Sequence, residues 1–143
     1  MTQVDFYILG DQAKGDRYQL ACRIADKAWQ SNRRIYLNTN SEAESRHIDR
    51  LLWTYREGSF LPHGILGESD QAMTPIIIGN GGDAADEHDV LINLANEVPL
   101  FFSRFERVAE FIDNDPEIRK SGRDRYRLYR DRGYTLNTYN IDR

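Results

Sequence analysis

Apolar residues along the chain alternate between short continuous runs and stripes at helical spacing. Val4-Asp5-Phe6-Tyr7-Ile8-Leu9 reads as a first, largely buried strand, broken by Gly10-Asp11. Over about residues 16–32, Leu20, Ile24 and Ala28 recur one turn apart, with Ala21, Ala25 and Trp29 beside them, which predicts a helix. Arg34-Ile35-Tyr36-Leu37 is a second strand. Ser41 followed by Glu44 is a capping box that opens a second helix, striped by Ile48, Leu51, Leu52 and Tyr55. Strand and helix in alternation favour a parallel sheet with right-handed crossovers.

Beyond Arg56 the pattern loosens. Ser59-Phe60-Leu61-Pro62-His63 reads as a loop or short edge segment. Pro75-Ile76-Ile77-Ile78 and Val90-Leu91-Ile92-Asn93-Leu94 are two further strands. Residues 105–112 read as a fifth strand, although Glu106, Arg107 and Glu110 also suit a short helix. Asp115 fits an N-cap and Pro116 the first position of a last helix, which Gly133 ends. With no repeat, low-complexity tract or long linker, residues 1–143 are expected to form one α/β domain.

Composition narrows the function classes. The chain has 40% hydrophobic and 29% charged residues, values ordinary for a soluble domain. It has no apolar run of membrane-spanning length, and its first residues lack the basic patch and apolar stretch of a signal peptide. A cytoplasmic protein without membrane contact is expected. Cys22, the single cysteine, sits in the apolar stripe of the first helix and reads as a buried, inert thiol. His47, His63 and His88 have no metal-ligand spacing. The net charge of −4 argues against non-specific binding to DNA, but only as an average, because the C-terminal stretch is locally basic.

Motifs for nucleotide chemistry are missing. Neither G-x-x-x-x-G-K-S/T nor G-x-G-x-x-G follows the first strand, where Asp11 and Asp16 would repel phosphates. Gly79-Asn80-Gly81-Gly82 leads into Asp83, Asp86, Glu87 and Asp89 and reads as a surface loop, not a phosphate cradle. Those acids lack the ligand order of an EF-hand. No nucleophile–base constellation stands out, and no catalysis or cofactor is expected.

The most informative segment is 117–132. On a helical wheel of about 100° per residue, Ile118, Gly122 and Tyr129 form a narrow packing face. Arg119, Arg123, Arg127 and Arg130 fall beside it within roughly 80°, with Tyr126 on the border. Lys120–Asp124 and Arg127–Asp131 could pair along the helix, but Arg123 and Arg130 have no acid three or four residues away. Arg119, Arg123 and Arg127, one turn apart, repel each other. Such a stripe fits either a solvated face or one reserved for an external anion, for which the planar guanidinium is suited. Leu51-Leu52-Trp53 and Phe60-Leu61-Pro62 could form a protein interface, although the pattern alone favours core.

Collinear residues from end to end resemble the chi subunits of bacterial DNA polymerase III holoenzyme. The matching segments are Phe6-Tyr7-Ile8-Leu9, Ile24-Ala25 with Trp29 and Arg34, Leu52-Trp53, and Ser59-Phe60-Leu61-Pro62-His63. They end in Arg125-Tyr126-Arg127-Leu128-Tyr129-Arg130 and Gly133-Tyr134-Thr135-Leu136-Asn137-Thr138. The resemblance implies a Rossmann-like, mostly parallel sheet flanked by helices, without nucleotide binding. It implies a non-catalytic replication adaptor with two partners. One is the acidic C-terminal tail of single-stranded-DNA-binding protein, held by Arg119, Arg123, Tyr126, Arg127 and Arg130 with Ile112 as apolar wall. The other is the psi subunit, the link to the clamp loader, bound through Trp53, Phe60, Leu61 and Pro62, which reverses the lean toward core. A helicase-like repair protein would share the psi surface. The segment 79–88 is more acidic here than in other members. The alternative reading is a fold-related nucleotide binder or enzyme without a recognisable motif. A direct DNA binder through the arginine helix is a third, opposed by the net charge and by few stacking platforms beside those arginines. No sequence-specific nucleic-acid binding is expected.

Overall fold

The computed structural model describes residues 1–11, 16–58, 60–81, 84 and 86–141. Expectations resting on residues 12–15, Ser59, Gly82 and Asp83 lie outside the described residues. The strands are β1 (Gln3–Leu9), β2 (Ile35–Asn38), β3 (His63–Ile65), β4 (Ile76–Gly79), β5 (Val90–Asn93), β6 (Arg107–Ile112) and β7 (Thr135–Ile141). They form one sheet in the order β3-β4-β2-β5-β6-β1-β7, parallel at every pairing. The order follows from composition. β2, β4 and β5 are buried on both faces, as their uninterrupted apolar runs require, and occupy the interior. Short β3 and half-exposed β7 take the edges.

Helices α1 (Arg17–Gln30) and α2 (Glu42–Thr54) cover one face, burying Leu20, Ala21, Ala25, Ile48 and Leu52 against the sheet. Cys22 is buried with them, and burial pushes its thiol up to about 12. Helix α3 (Pro116–Asp131) lies on the other face, with Tyr129 packed among Val4, Phe6, Phe102 and Phe105. The expected caps of α2 and α3 form, and α1 gains one that was not expected. Ser41 accepts a hydrogen bond from the Glu44 amide, and Asp16 caps α1 by accepting from the Gln19 amide. Glu44 reaches back to the amide of Asn40. Asp115 caps α3 before Pro116. At its end Gly133 adopts φ 81°, and the amides of Gly133 and Tyr134 return to the carbonyls of Arg130 and Tyr129, a Schellman closure.

The expected fifth strand forms over 107–112: Ala109 and Phe111, facing α1 and α2, are buried, and Glu110 on the other side pairs with Arg125. Other expectations change. The loop or short edge segment expected up to His63 leads into an edge strand, β3, which runs from His63 to Ile65. The chain also continues past α3 into an unexpected edge strand, β7, half-exposed along its length. The acids of segment 79–89 are partly structural: buried Glu87 pairs with Arg34 at 2.8 Å, and Asp89 accepts the Arg34 amide. Among the described residues no His/Cys/Asp/Glu group could hold a metal, and no helix is long and apolar enough to cross a membrane.

Candidate functional site

Helix α3 presents its arginines because another arginine anchors it. Arg125 points into the sheet, and its Nε donates to Glu110 Oε1 at 2.8 Å. Tyr129 and Asn93 donate to Glu110 Oε2 at 2.8 and 2.9 Å, and Asn38 donates to Asn93 at 3.0 Å. Arg125 Nη1 also donates to the Asn96 carbonyl. Burial pushes the Glu110 carboxyl up, while the Arg125 guanidinium and the Asn93 and Tyr129 donors pull it back. Burial and the adjacent Glu110 drive the Tyr129 hydroxyl well above its ordinary value. This network fixes the rotation of α3 about its axis. Its one signal in the sequence is a glutamate between Val108 and Ile112 on one strand face, which demands a buried partner.

The helix so fixed overhangs β1 and β7 and leaves a cleft of about 420 Å³. Phe6 and Ile8 of β1, Ile112 of β6 and Thr138 of β7 line it from the sheet; Gly122 and Tyr126 line it from α3. The Tyr126 ring meets Phe6 edge-on, with centroids 5.1 Å apart. Gly122 is required by the close approach: a Cβ there would lie 2.6 Å from Ile112 Cδ1. Arg123, Arg127 and Arg130 stand around the opening.

Five of the six residues expected in a tail site therefore share one cleft: Ile112, Arg123, Tyr126, Arg127 and Arg130. Arg119 does not line it, since its guanidinium bonds back to the Asp113 carbonyl and to Asn114. The pairing along α3 also differs from expectation. Arg127 pairs with Asp124 at 3.7 Å, and Arg130 with the adjacent Asp131 at 3.1 Å. Both pairs are exposed and worth about 0–1 kcal/mol, so an incoming carboxylate can displace them. Arg123 makes no ion pair among the described residues.

The second group lies toward the opposite edge of the sheet. Trp53 is 57% and Phe60 83% exposed, and Pro62 is exposed beside them. The Trp53 ring packs 4.5 Å from that of His63, which is held by the Leu61 and Asp49 carbonyls. Leu61 requires a correction: it is only 2% exposed and belongs to the core, so it supports this surface from beneath. A further cavity of about 730 Å³ opens at the C-terminal ends of β2, β4 and β5, among Asn38, Asn80, Asn96, Glu97 and Phe101. Among its described lining residues there is no lysine or arginine.

Comparison with known proteins places this geometry in a family. Residues 1–137 match the family model for "DNA polymerase III chi subunit, HolC". The chain is 39% identical over 143 residues to DNA polymerase III subunit chi of Pseudomonas aeruginosa, covering all of this chain and 99% of that one. It is 34% identical over 137 residues to the same subunit of Haemophilus influenzae, covering 95% of each. The Escherichia coli subunit is 29% identical over 143 residues, covering 96% of this chain and 97% of its own. Among solved structures, T4 UvsW resembles the fold with a TM-score of 0.64 at 14% identity, over 97% of this chain and 42% of that chain. That likeness concerns the α/β fold alone. The chain belongs to the DNA polymerase III chi subunit family.

Proposed function

We propose that this chain is a non-catalytic adaptor of the DNA polymerase III holoenzyme. It binds the acidic C-terminal tail of single-stranded-DNA-binding protein in the α3 cleft, and the psi subunit of the clamp loader through Trp53, Phe60 and Pro62. The observation that carries the reading is the combination within one cleft of an apolar floor and an arginine rim. A peptide ending in an aromatic residue with a free carboxylate matches both parts. The ring fits beside Tyr126 and Ile112, and Arg123, Arg127 and Arg130 take the carboxylates. Arg119 acts from outside the cleft, on acids farther along the tail. The exposed Trp53 and Phe60 fit a partner-covered surface better than a solvated one.

The competing nucleotide-binding reading has in its favour the cavity at the C-terminal strand ends, where parallel sheets commonly bind ligands. Its amide and Glu97 lining offers little to a phosphate. Titration with a fluorescent acidic peptide ending in Asp-Phe and a free carboxylate tests the adaptor reading. Saturable binding that weakens with salt is expected, with a loss of about 1.5–3 kcal/mol in Arg123→Ala, as for a hydrogen bond to a charged group. Absence of wild-type binding at low salt, or saturable nucleotide binding in its place, would reject it.

A further inference from the structure

Helices α1 and α2 leave part of their own sheet face uncovered. On that face Phe111, Tyr7 and Tyr139 occupy the same register on the adjacent strands β6, β1 and β7. Their rings form a stacked column, with centroids 5.4 and 5.2 Å apart and planes inclined by 15° and 21°. The column starts in the core at Phe111 and ends on the edge strand at Tyr139, which is 43% exposed. Beside it, two cavities of about 440 and 500 Å³ share Tyr7, Ile24 and Lys27, and so form one groove along α1.

The charge of the groove is uneven. Its acids are engaged: Asp5 pairs with Arg107 at 2.8 Å and accepts from Asn137, and Asp26 pairs with Arg56 at 3.0 Å. Arg23 and Lys27, one turn apart on α1, are exposed and have no ion pair among the described residues. The groove thus offers unspent cations on the α1 side and, across from them, Tyr7, the middle ring of the column, whose open end at Tyr139 lies one strand beyond the groove. A carboxylate peptide would use the cations but not the rings. A single strand of nucleic acid uses both, phosphates on Arg23 and Lys27 and a base stacked on the open end of the column. A duplex keeps its bases out of reach.

We infer that the groove between α1 and the Tyr7–Tyr139 column is a weak, sequence-independent binding site for single-stranded nucleic acid. It lies across the sheet from the α3 cleft and does not depend on the tail reading. The net charge of −4 averages over both faces and hides this local excess.

The test titrates the intact chain at low salt with labelled oligothymidylate of about 12 nucleotides, the scale of a small single-strand site. The matching duplex and polyglutamate serve as competitors. Saturable binding to the single strand is expected, displaced poorly by either competitor. Tyr139→Ala should weaken it about tenfold, at the low end of one base–aromatic stack. The surface variant Arg23→Ala/Lys27→Ala, which removes only exposed side chains, should weaken it at least as much and lower its salt dependence. Arg123→Ala should leave it unchanged while losing the acidic peptide. No binding to the single strand, equal displacement by polyglutamate, or loss in Arg123→Ala without loss in the groove variants would each overturn the assignment.

Discussion

Two residues decide whether the α3 cleft exists, and neither is among the arginines that ring it. Gly122 lets the helix backbone approach Ile112, the apolar wall. In Gly122→Ala the new methyl would meet Ile112 Cδ1 at 2.6 Å and Cγ1 at 2.7 Å, so this wall of the cleft must shift. Helix propensity favours alanine by about 1 kcal/mol, while overpacking costs about 1–3 kcal/mol. The expected outcome is a small net destabilisation in urea melts, with a severalfold loss of tail-peptide affinity. Glu110 is the counter-ion of Arg125 and accepts from Asn93 and Tyr129. Glu110→Gln leaves a guanidinium buried without its charge partner, a change that costs about 3–5 kcal/mol. Urea denaturation should show a loss of that size. A loss below about 1 kcal/mol would mean that solvent reaches Arg125 more easily than its burial implies.

At the scale of elements, legibility in the sequence followed how far an element is determined locally. The caps of α2 and α3 were readable because Ser41, Asp115 with Pro116, and Gly133 act within one turn. The central strands were readable because burial on both faces demands an uninterrupted apolar run. β7 was not, since an edge strand half in water carries polar residues at Asn137, Thr138 and Asn140. The arginine stripe of α3 was visible from helical geometry alone, and so was its packing face at Gly122 and Tyr129. Arg125 was not, because its role depends on Glu110, fifteen residues away on another element. Arg119 was assigned with the stripe, but the turn before α3 supplies Asp113 and Asn114 to hold it. The aromatic column has no local signature for a similar reason. Tyr7, Phe111 and Tyr139 are distant in sequence and meet only through strand order.

For the whole molecule, the order of strands separates the two proposed partner surfaces. The α3 cleft opens over β1 and β7 at one edge, and Trp53 and Phe60 lie by α2 and β3 toward the other. The strands between them are parallel throughout, and the two surfaces share no side chain. The two partners should therefore bind together and independently. Isothermal titration should give a tail-peptide affinity changed less than about twofold by saturating psi, the level expected for distant sites. Phe60→Ala should abolish psi capture and leave peptide affinity intact. The most direct measurement is amide chemical-shift mapping of the isotope-labelled chain titrated with the free-carboxylate peptide. Shifts centred on Ile112, residues 122–130 and Thr138 are expected, and they should be absent when the peptide ends in an amide. Shifts centred on Trp53 and Phe60, or on Asn38, Asn80 and Asn96, with α3 unmoved, would contradict a tail site in the α3 cleft.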